Sequence, residues 1–383
     1  MKNVIRAFTI GLFALVILCP FLQEHLQLLH YQSLTENRFM KPRPSNWQTL
    51  FQTGSVFAKD YEEYFNDNYG MRDLLIRTKN QLDYMLLHES DKVVIGHDGF
   101  LFYKSVVERD EINAERASAE AWRVLQERIL NLNRALAKRG TTLVIMPCPM
   151  KNSIYPEMLP ASAPHRPVPT AFDRFRRILS EHPEVVTVDT AALLAKLKES
   201  MPVYHKTDFH WNDPAGAHMA KELVNRLGIM SGKGNLWDQP ISIRIDGHYL
   251  GGEAQALGLL MPILENALFL RSDLIRAAPG EFSYTEEANE WTYTSRLEDV
   301  SRLIPSTVMF GDSYADAFTR AGFIVYFARF QKFFNWDFSK RYSRVPAGTR
   351  FLVIQFTEPV LAGLLNTVFW PDEFVGGTSI PVK

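Results

Sequence analysis

The sequence predicts a doubly wound three-layer α/β domain that follows an N-terminal membrane segment. From residue 93 onward, short apolar strand-like runs alternate with helical stretches, the order typical of a sheet covered by helices on both faces. Residues 142–146 are apolar throughout, as in strands buried on both faces of a parallel sheet. The membrane segment is indicated by Lys2 and Arg6, which precede an apolar run over residues 7–22.

Composition narrows the class of protein. The chain has 383 residues, of which 46% are hydrophobic and 22% are charged, as expected for a globular protein with a sizeable core. The net charge of −1 leaves no basic excess to hold phosphates, which argues against nucleic acid as the main partner. Of the two cysteines, Cys19 falls in the membrane segment and Cys148 at a predicted strand end. No intrachain disulfide is therefore expected.

The N-terminal run predicts an uncleaved anchor over residues 1–25, because no small-x-small cleavage site follows it. Its basic end is expected inside the cell, with the rest of the chain exported. A cleaved signal peptide is the alternative. Residues 26–90 are expected to form a stem and a helical lead-in, in which aromatic residues at helical spacing pack as core. Residues 91–383 would form the α/β domain.

The elements of that domain follow in order. Residues 93–103 predict a hairpin turning at His-Asp-Gly, and residues 118–138 a helix with Ser118 as its N-cap. Helices over 171–181 and 191–199 flank a strand over 185–189. The next helix, 215–227, is predicted to be capped by Asp213, to have Pro214 in its first turn and to end at Gly228. Residues 231–301 are expected to be a loop-rich inserted lobe. Further strands are predicted over 323–327 and 351–356.

Asp208 and His210 lie directly before that capped helix. In an extended segment, residues two apart project to the same side, so a carboxylate and an imidazole would reach one site together. A nucleophile for them comes a hundred residues later. Ser313 ends the sequence Gly-Asp-Ser after an apolar strand and before a helical pattern, where unpaired N–H groups can stabilise an oxyanion. The residues predict Ser313 as nucleophile, His210 as base and Asp208 as the orienting carboxylate.

Plainer interpretations exist for each motif. Gly-Asp-Ser is common in turns, and an isolated histidine has many structural uses. A metal site was weighed because His205, Asp208, His210 and His218 are near in sequence. No His-Glu-x-x-His or Cys-x-x-Cys pattern is present, so neither a metal nor a cofactor is predicted.

Five further side chains are candidates for substrate binding. Open α/β sheets place ligands at the carboxyl ends of their strands, which points to Lys151, Asn152 and Tyr155 after the strand over 142–146. Trp211 and Tyr314 flank the predicted catalytic residues and would offer a platform for an acceptor. The mixture of basic and aromatic residues over 329–336 fits either a packed strand or a sugar-stacking surface.

Five sequence blocks, in order, resemble the alginate O-acetyltransferase family, AlgJ and AlgX. The blocks are Glu36-Asn37-Arg38, Gly96-x-Asp98-Gly99-Phe100-Leu101-Phe102, Pro149-x-Lys151 with Tyr155-Pro156, Lys206-Thr207-Asp208-x-His210-Trp211, and Gly311-Asp312-Ser313-Tyr314. The resemblance implies an SGNH-hydrolase-like three-layer α/β/α domain with a permuted motif order. It also implies that the same three residues acetylate an exported polysaccharide such as alginate or cellulose.

The resemblance implies partners and a location as well. The acceptor would be a polysaccharide, and a polytopic membrane O-acyltransferase would deliver the acetyl group, together with other exopolysaccharide synthesis or export subunits. The chain would be anchored in the bacterial inner membrane with its catalytic domain in the periplasm. AlgX-like forms carry a C-terminal carbohydrate-binding module, for which the 27 residues after Phe356 leave little room. An acetylesterase with the same triad and a non-catalytic polymer-binding scaffold are the alternative functions.

Overall fold

A computed structural model describes residues 2–28, 39–44, 54–110, 114–164, 168–271, 280–284 and 290–375. The Glu36-Asn37-Arg38 block lies outside these residues. The chain divides into two compact units, Met1–Val93 with Ala254–Ile263, and Val94–Glu253 with Leu264–Lys383. They are described in turn.

The first unit begins with helix α1 (Lys2–Leu26). Its residues Lys2–Gln23 contain an 18-residue stretch with a mean hydropathy of 2.3 and are long and apolar enough to cross a membrane. Helices α2 (Gly54–Asn68) and α3 (Arg72–Leu82) follow, and a π-helical turn, Asp83–Leu87, extends α3. The α3 side chains of Arg77 and Asn80 donate to carbonyls of Leu259 and Leu257.

The aromatic stripe on α2 was expected to be core, and this is only partly correct. Phe57 is buried, but Tyr61 and Phe65 are 43% and 51% exposed. Phe57 and Tyr61 share one face of the helix because they are four residues apart, and their ring centroids lie 6.3 Å apart. The rings thus pack partly on one another, while solvent reaches one side of the stripe.

The second unit is built on a seven-stranded sheet of order β4-β3-β11-β9-β10-β8-β7. Neighbouring strands from β4 to β10 are parallel, whereas β8 and β7 are antiparallel. The strands are β3 (Thr142–Cys148), β4 (Val186–Thr187), β7 (Gly280–Tyr284), β8 (Trp291–Ser295), β9 (Thr307–Gly311), β10 (Arg329–Phe334) and β11 (Phe351–Thr357). Two small antiparallel sheets pair β1 (Val93–Ile95) with β2 (Leu101–Tyr103) and β5 (Ile243–Tyr249) with β6 (Glu265–Leu270).

Helices cover both faces of the large sheet, which confirms the predicted α/β fold. In β3, Val144 and Met146 join one hydrophobic cluster while Leu143 and Ile145 join the other, as the alternation of side chains along a strand requires. The helices are α4 (Ala119–Lys138), α5 (Lys151–Ile154), α6 (Ala171–Ser180), α7 (Thr190–Lys198), α8 (Asp213–Met230), α9 (Gly252–Leu257), α10 (Asp316–Arg320), α11 (Phe338–Arg341) and α12 (Leu361–Leu364). As predicted, Ser118 caps α4 by accepting the Ala121 N–H.

The predicted boundaries of α8 are wrong at both ends. Asn212, not Asp213, is the N-cap, and its side chain accepts the Ala215 N–H. Gly228 does not end the helix, which continues to Met230. A Cβ on Gly228 would lie 2.5 Å from the Gly234 carbonyl oxygen, so this glycine allows the returning chain to pass close to the helix.

Two further expectations are corrected. Residues 231–301 were expected to be loop-rich, but their described part contains β5 to β8, two of which complete the large sheet. Residues 323–327 do not form a strand but a short 3₁₀ helix, Phe323–Tyr326, and the strand begins at Arg329. In β10 Phe330 and Phe333 are fully buried, and Lys332 pairs with Asp316. The run over 329–336 is therefore mainly a packed strand; Trp336 alone among its aromatic side chains is largely exposed.

Candidate active site

Ser313 stands on the turn that leaves β9 at the carboxyl edge of the sheet. It opens a short 3₁₀ helix, Ser313–Ala315, and its side chain is exposed. The buried Asp312 fixes this turn by accepting the N–H groups of Tyr314 and Thr357, each at 3.0 Å. Within the described part of the chain, no acceptor lies within hydrogen-bond distance of the Ser313 N–H. That N–H is therefore available to an oxygen atom of a substrate.

Asp208 and His210 lie on a short irregular loop that leads into α8. An isolated antiparallel bridge between Tyr204 and Trp211 closes this catalytic loop, residues 205–210. The Asn212 side chain anchors the end of the loop by donating to the Pro202 carbonyl while it caps α8. The start of α8 thereby fixes the position of His210.

The three predicted catalytic side chains form one continuous hydrogen-bonded chain. His210 Nε2 lies 2.8 Å from Ser313 Oγ, and His210 Nδ1 lies 2.7 Å from Asp208 Oδ1. An ionised carboxylate only accepts hydrogen bonds, so Nδ1 carries the proton and Nε2 is the acceptor for the serine hydroxyl. This is the arrangement that activates a serine for nucleophilic attack.

Asp208 is held as an anion by donors on both of its oxygens. Oδ1 also accepts the His210 N–H, and Oδ2 accepts the Gly252 N–H at 2.7 Å and the Tyr249 hydroxyl at 3.1 Å. Burial by itself raises the pKa of Asp208, but the hydrogen bonds from His210 and Gly252 outweigh it and hold that pKa well below its usual range. Burial also raises the pKa of Tyr249 far above its ordinary value, so its hydroxyl remains a donor.

Trp211 and Tyr314 join the two catalytic segments by reciprocal hydrogen bonds. Trp211 Nε1 donates to the Tyr314 carbonyl at 3.0 Å, and the Tyr314 hydroxyl donates to the Phe209 carbonyl at 2.6 Å. Both side chains are 1% exposed. They fix the segments that carry His210 and Ser313 relative to each other. They do not form the exposed platform that the sequence predicts for them.

The three candidates after β3 are also buried. Tyr155 accepts the Val203 N–H with its hydroxyl, Asn152 is 3% exposed, and Lys151 lies beneath the catalytic loop. The rim position predicted for these side chains is not observed, because the chain turns inward after β3 and forms α5 under the loop. The described residues contain no group of three or more His, Cys, Asp or Glu side chains arranged to hold a metal ion.

Tyr249 and Gly252 were not predicted from the sequence, although both contact Asp208. They lie inside the stretch that was expected to be loop-rich. The available signal was the pair Gly251-Gly252 followed by an acidic residue, since adjacent glycines indicate a close approach of the backbone. A Cβ on Gly251 would lie 2.1 Å from the Thr207 carbonyl oxygen, so the segment packs directly against the catalytic loop.

Gly251→Ala is expected to lower both stability and activity. The clash is with backbone, which cannot move aside cheaply, and overpacking of this kind costs about 1–3 kcal/mol. Urea denaturation followed by tryptophan fluorescence would give the midpoint shift. Gly363→Ala in α12 is the matched control, because its added Cβ would lie 3.7 Å from Trp336, an ordinary contact. Equal midpoints for the two variants would contradict the role assigned to Gly251.

Comparison with known proteins finds relatives for parts of the chain. A family model described as "SGNH hydrolase-like domain, acetyltransferase AlgX" matches residues 93–228. A "Probable alginate O-acetylase AlgJ" from Pseudomonas aeruginosa is 28% identical over 187 residues, which cover 48% of this chain and 44% of that protein. Over these ranges the chain is similar to AlgX and AlgJ. A protein of the same name from Pseudomonas syringae pv. tomato is 27% identical over 183 residues, covering 46% of this chain and 45% of the relative.

The chain spans less than half the length of these two relatives. Its SGNH-type fold is shared with Bacillus cereus PatB1, with a TM-score of 0.50 at 11% identity over 73% of this chain and 99% of that structure. The family model covers Asp208 and His210 but ends before Ser313. The nucleophile is therefore inferred from geometry rather than from the matched range.

Proposed function

We propose that this protein is an O-acetyltransferase that modifies hydroxyl groups of an exported bacterial polysaccharide, such as alginate or cellulose. The observation that carries the proposal is the continuous hydrogen-bonded chain from Asp208 through His210 to an exposed Ser313. The names of the curated relatives, probable alginate O-acetylases, support the class of substrate.

The first half of the reaction would place the acetyl group on the enzyme. Ser313 Oγ attacks the carbonyl carbon of the donor while His210 Nε2 takes the hydroxyl proton. The Ser313 N–H stabilises the oxyanion of the tetrahedral intermediate. His210 then returns the proton to the leaving group, and an acetyl ester remains on Ser313.

The second half would pass the acetyl group to the sugar. A sugar hydroxyl gives its proton to His210 Nε2 and attacks the ester carbonyl, and the intermediate collapses with release of Ser313. The proton moves from His210 back to Ser313 Oγ, which restores the starting state. Asp208 stays ionised throughout and stabilises the imidazolium that forms in each half.

The location and partners belong to the same proposal. Helix α1 would anchor the chain in the inner membrane with the catalytic unit in the periplasm. A polytopic membrane O-acyltransferase would supply the acetyl group from across the membrane, alongside other subunits of polysaccharide synthesis or export. Because acetyl esters also react with water, transfer requires that a bound acceptor outcompete water at Ser313.

An acetylesterase is the second candidate, and the exposure of Ser313 favours it, since water can reach an exposed nucleophile. A non-catalytic polymer-binding scaffold is a third. The test is to incubate the full-length protein in detergent with an acetyl ester donor and oligosaccharides of alginate or cellulose, and to follow acetyl gain by mass spectrometry. Gain on one sugar supports the transferase, and donor hydrolysis without gain supports the esterase. Failure of a serine-directed acylating probe to label Ser313 would favour the scaffold.

A further inference from the structure

We propose that Lys151 and Glu253, a buried ion pair, are positioning residues that hold the catalytic loop in its active geometry. The inference deepens the proposed function and rests on it, since it concerns the same triad. Neither side chain contacts Ser313 or the imidazole of His210. Lys151 acts through the carbonyls of Lys206 and Asp208, and Glu253 acts through Lys151 and the Thr207 carbonyl.

The Lys151 ammonium uses all three of its protons, two on carbonyls of the catalytic loop and one on Glu253. Its Nζ lies 2.9 Å from the Asp208 carbonyl oxygen, 3.0 Å from the Lys206 carbonyl oxygen and 2.5 Å from Glu253 Oε2. The side chains of Lys151 and Glu253 are 2% and 1% exposed. Three donors are all that an ammonium has, so no part of this charge is left for solvent or substrate.

Glu253 binds the loop from the other side. Its second oxygen accepts the Tyr103 N–H at 3.0 Å, and its own N–H donates to the Thr207 carbonyl at 3.1 Å. The preceding residue, Gly252, donates to Asp208 Oδ2. Two consecutive residues therefore hold the Thr207 backbone and the Asp208 carboxylate, while Lys151 holds the carbonyls on either side of Thr207.

The energetic cost of burying the Lys151–Glu253 ion pair indicates that the pair positions the catalytic loop rather than stabilising the fold. Two charges lose their hydration when buried, and an apolar pair of similar volume is often as stable or more so. An apolar pair would not provide the two donors that Lys151 supplies to the carbonyls of this irregular loop, and those carbonyls need partners. Burial raises the pKa of Glu253 to about 7, and Lys151 opposes that rise. Removing the charge of Glu253 should consequently lower kcat less than removing the Lys151 ammonium does.

Three variants of the full-length protein separate positioning from stability. Lys151→Met is expected to lower kcat about 100-fold with KM for the donor changed little, because misplacement by about 1 Å costs that much. Glu253→Gln is expected to lower kcat about tenfold. The double variant leaves no unpaired buried charge, so its urea midpoint should return towards that of the unmodified protein. Its kcat should stay low, because the two carbonyls still lack their donors.

Glu290→Gln is the matched control. Glu290 is 5% exposed and pairs with Arg341 and Arg344, so its loss costs stability without touching the catalytic loop. Its kcat should be unchanged. A Lys151→Met protein that folds and keeps its kcat would overturn the proposal. So would a double variant in which kcat recovers together with stability.

A measurement without substrate distinguishes this inference from the proposed function. The proton between His210 Nδ1 and Asp208 should give a strongly downfield resonance in NMR spectra, and Lys151→Met should shift or broaden it whatever the acceptor is. If the resonance changes and no sugar is ever acetylated, the positioning role stands and the proposed function fails. An unchanged resonance in Lys151→Met overturns the positioning role.

Discussion

Ser313→Ala is expected to abolish acetyl transfer, with a fall in kcat of about 10⁴-fold or more. The change removes the only atom that can carry the acetyl group, so both halves of the proposed reaction stop. Folding should be unaffected, because the serine is exposed and its side chain is hydrogen-bonded to His210. Acetyl gain on the oligosaccharide and mass labelling of the enzyme by an acylating probe should disappear together.

Ser180→Ala is a suitable control for that experiment. Ser180 is also exposed, and its hydroxyl donates only to the nearby Arg177 carbonyl, so activity should match that of the unmodified protein. Transfer that survives in Ser313→Ala, with the purified protein folded, would remove Ser313 as the nucleophile and the acetyl-serine intermediate with it.

Asp208→Asn is expected to lower kcat about 10⁴-fold, the loss that the corresponding change causes in serine proteases. Four donors converge on the two oxygens of Asp208, and an amide offers only one oxygen. With the amide oxygen facing Gly252 and Tyr249, the NH₂ group faces His210. The imidazole is then driven to the tautomer with its proton on Nε2, which cannot accept the proton of Ser313. Steady-state kinetics would show the loss in kcat.

The same variant has a signature in acid stability. The pKa of Asp208 is lowered on folding from its ordinary value of 3.8, so the folded state binds fewer protons than the unfolded state. The stabilisation is fully present above that ordinary value and is lost as the pH falls through the lower folded value. The difference in unfolding free energy between the native protein and Asp208→Asn should therefore shrink as the pH falls below about 5. A difference that grows with acidity would contradict the assigned charge state.

The sheet and the strand-end position of Ser313 could be predicted because their signals are local. The apolar run of β3 and the Gly-Asp-Ser turn after β9 each depend on a few adjacent residues, and the structure places both at one edge of the sheet. The cap of α8 was misplaced by one residue, because Asn212 and Asp213 are both good N-caps and only the tertiary structure selects between them.

The supporting residues could not be predicted, because their roles depend on contacts distant in sequence. Nothing around Lys151 indicates that its charge meets a carboxylate 102 residues later. Trp211 and Tyr314 looked like a binding platform because aromatic residues near a catalytic motif suit either a surface or a core. Which of the two they form is decided by the packing of α8 against α10. There a Cβ on Gly216 would lie 2.4 Å from that of Ala317, which brings the two helices into direct contact.

The position of β11 has a consequence for how the protein matures. This strand is the last of the large sheet to be synthesised, yet it lies between β3 and β9 and pairs with both. β3 lies in the half of the sheet that leads to the catalytic loop, and β9 lies in the half that carries Ser313. The two halves therefore remain separate on the nascent chain until residues 351–357 insert between them. Such long-range pairing is slow. Ser313 and His210 are therefore held together only after residues 351–357 have been made.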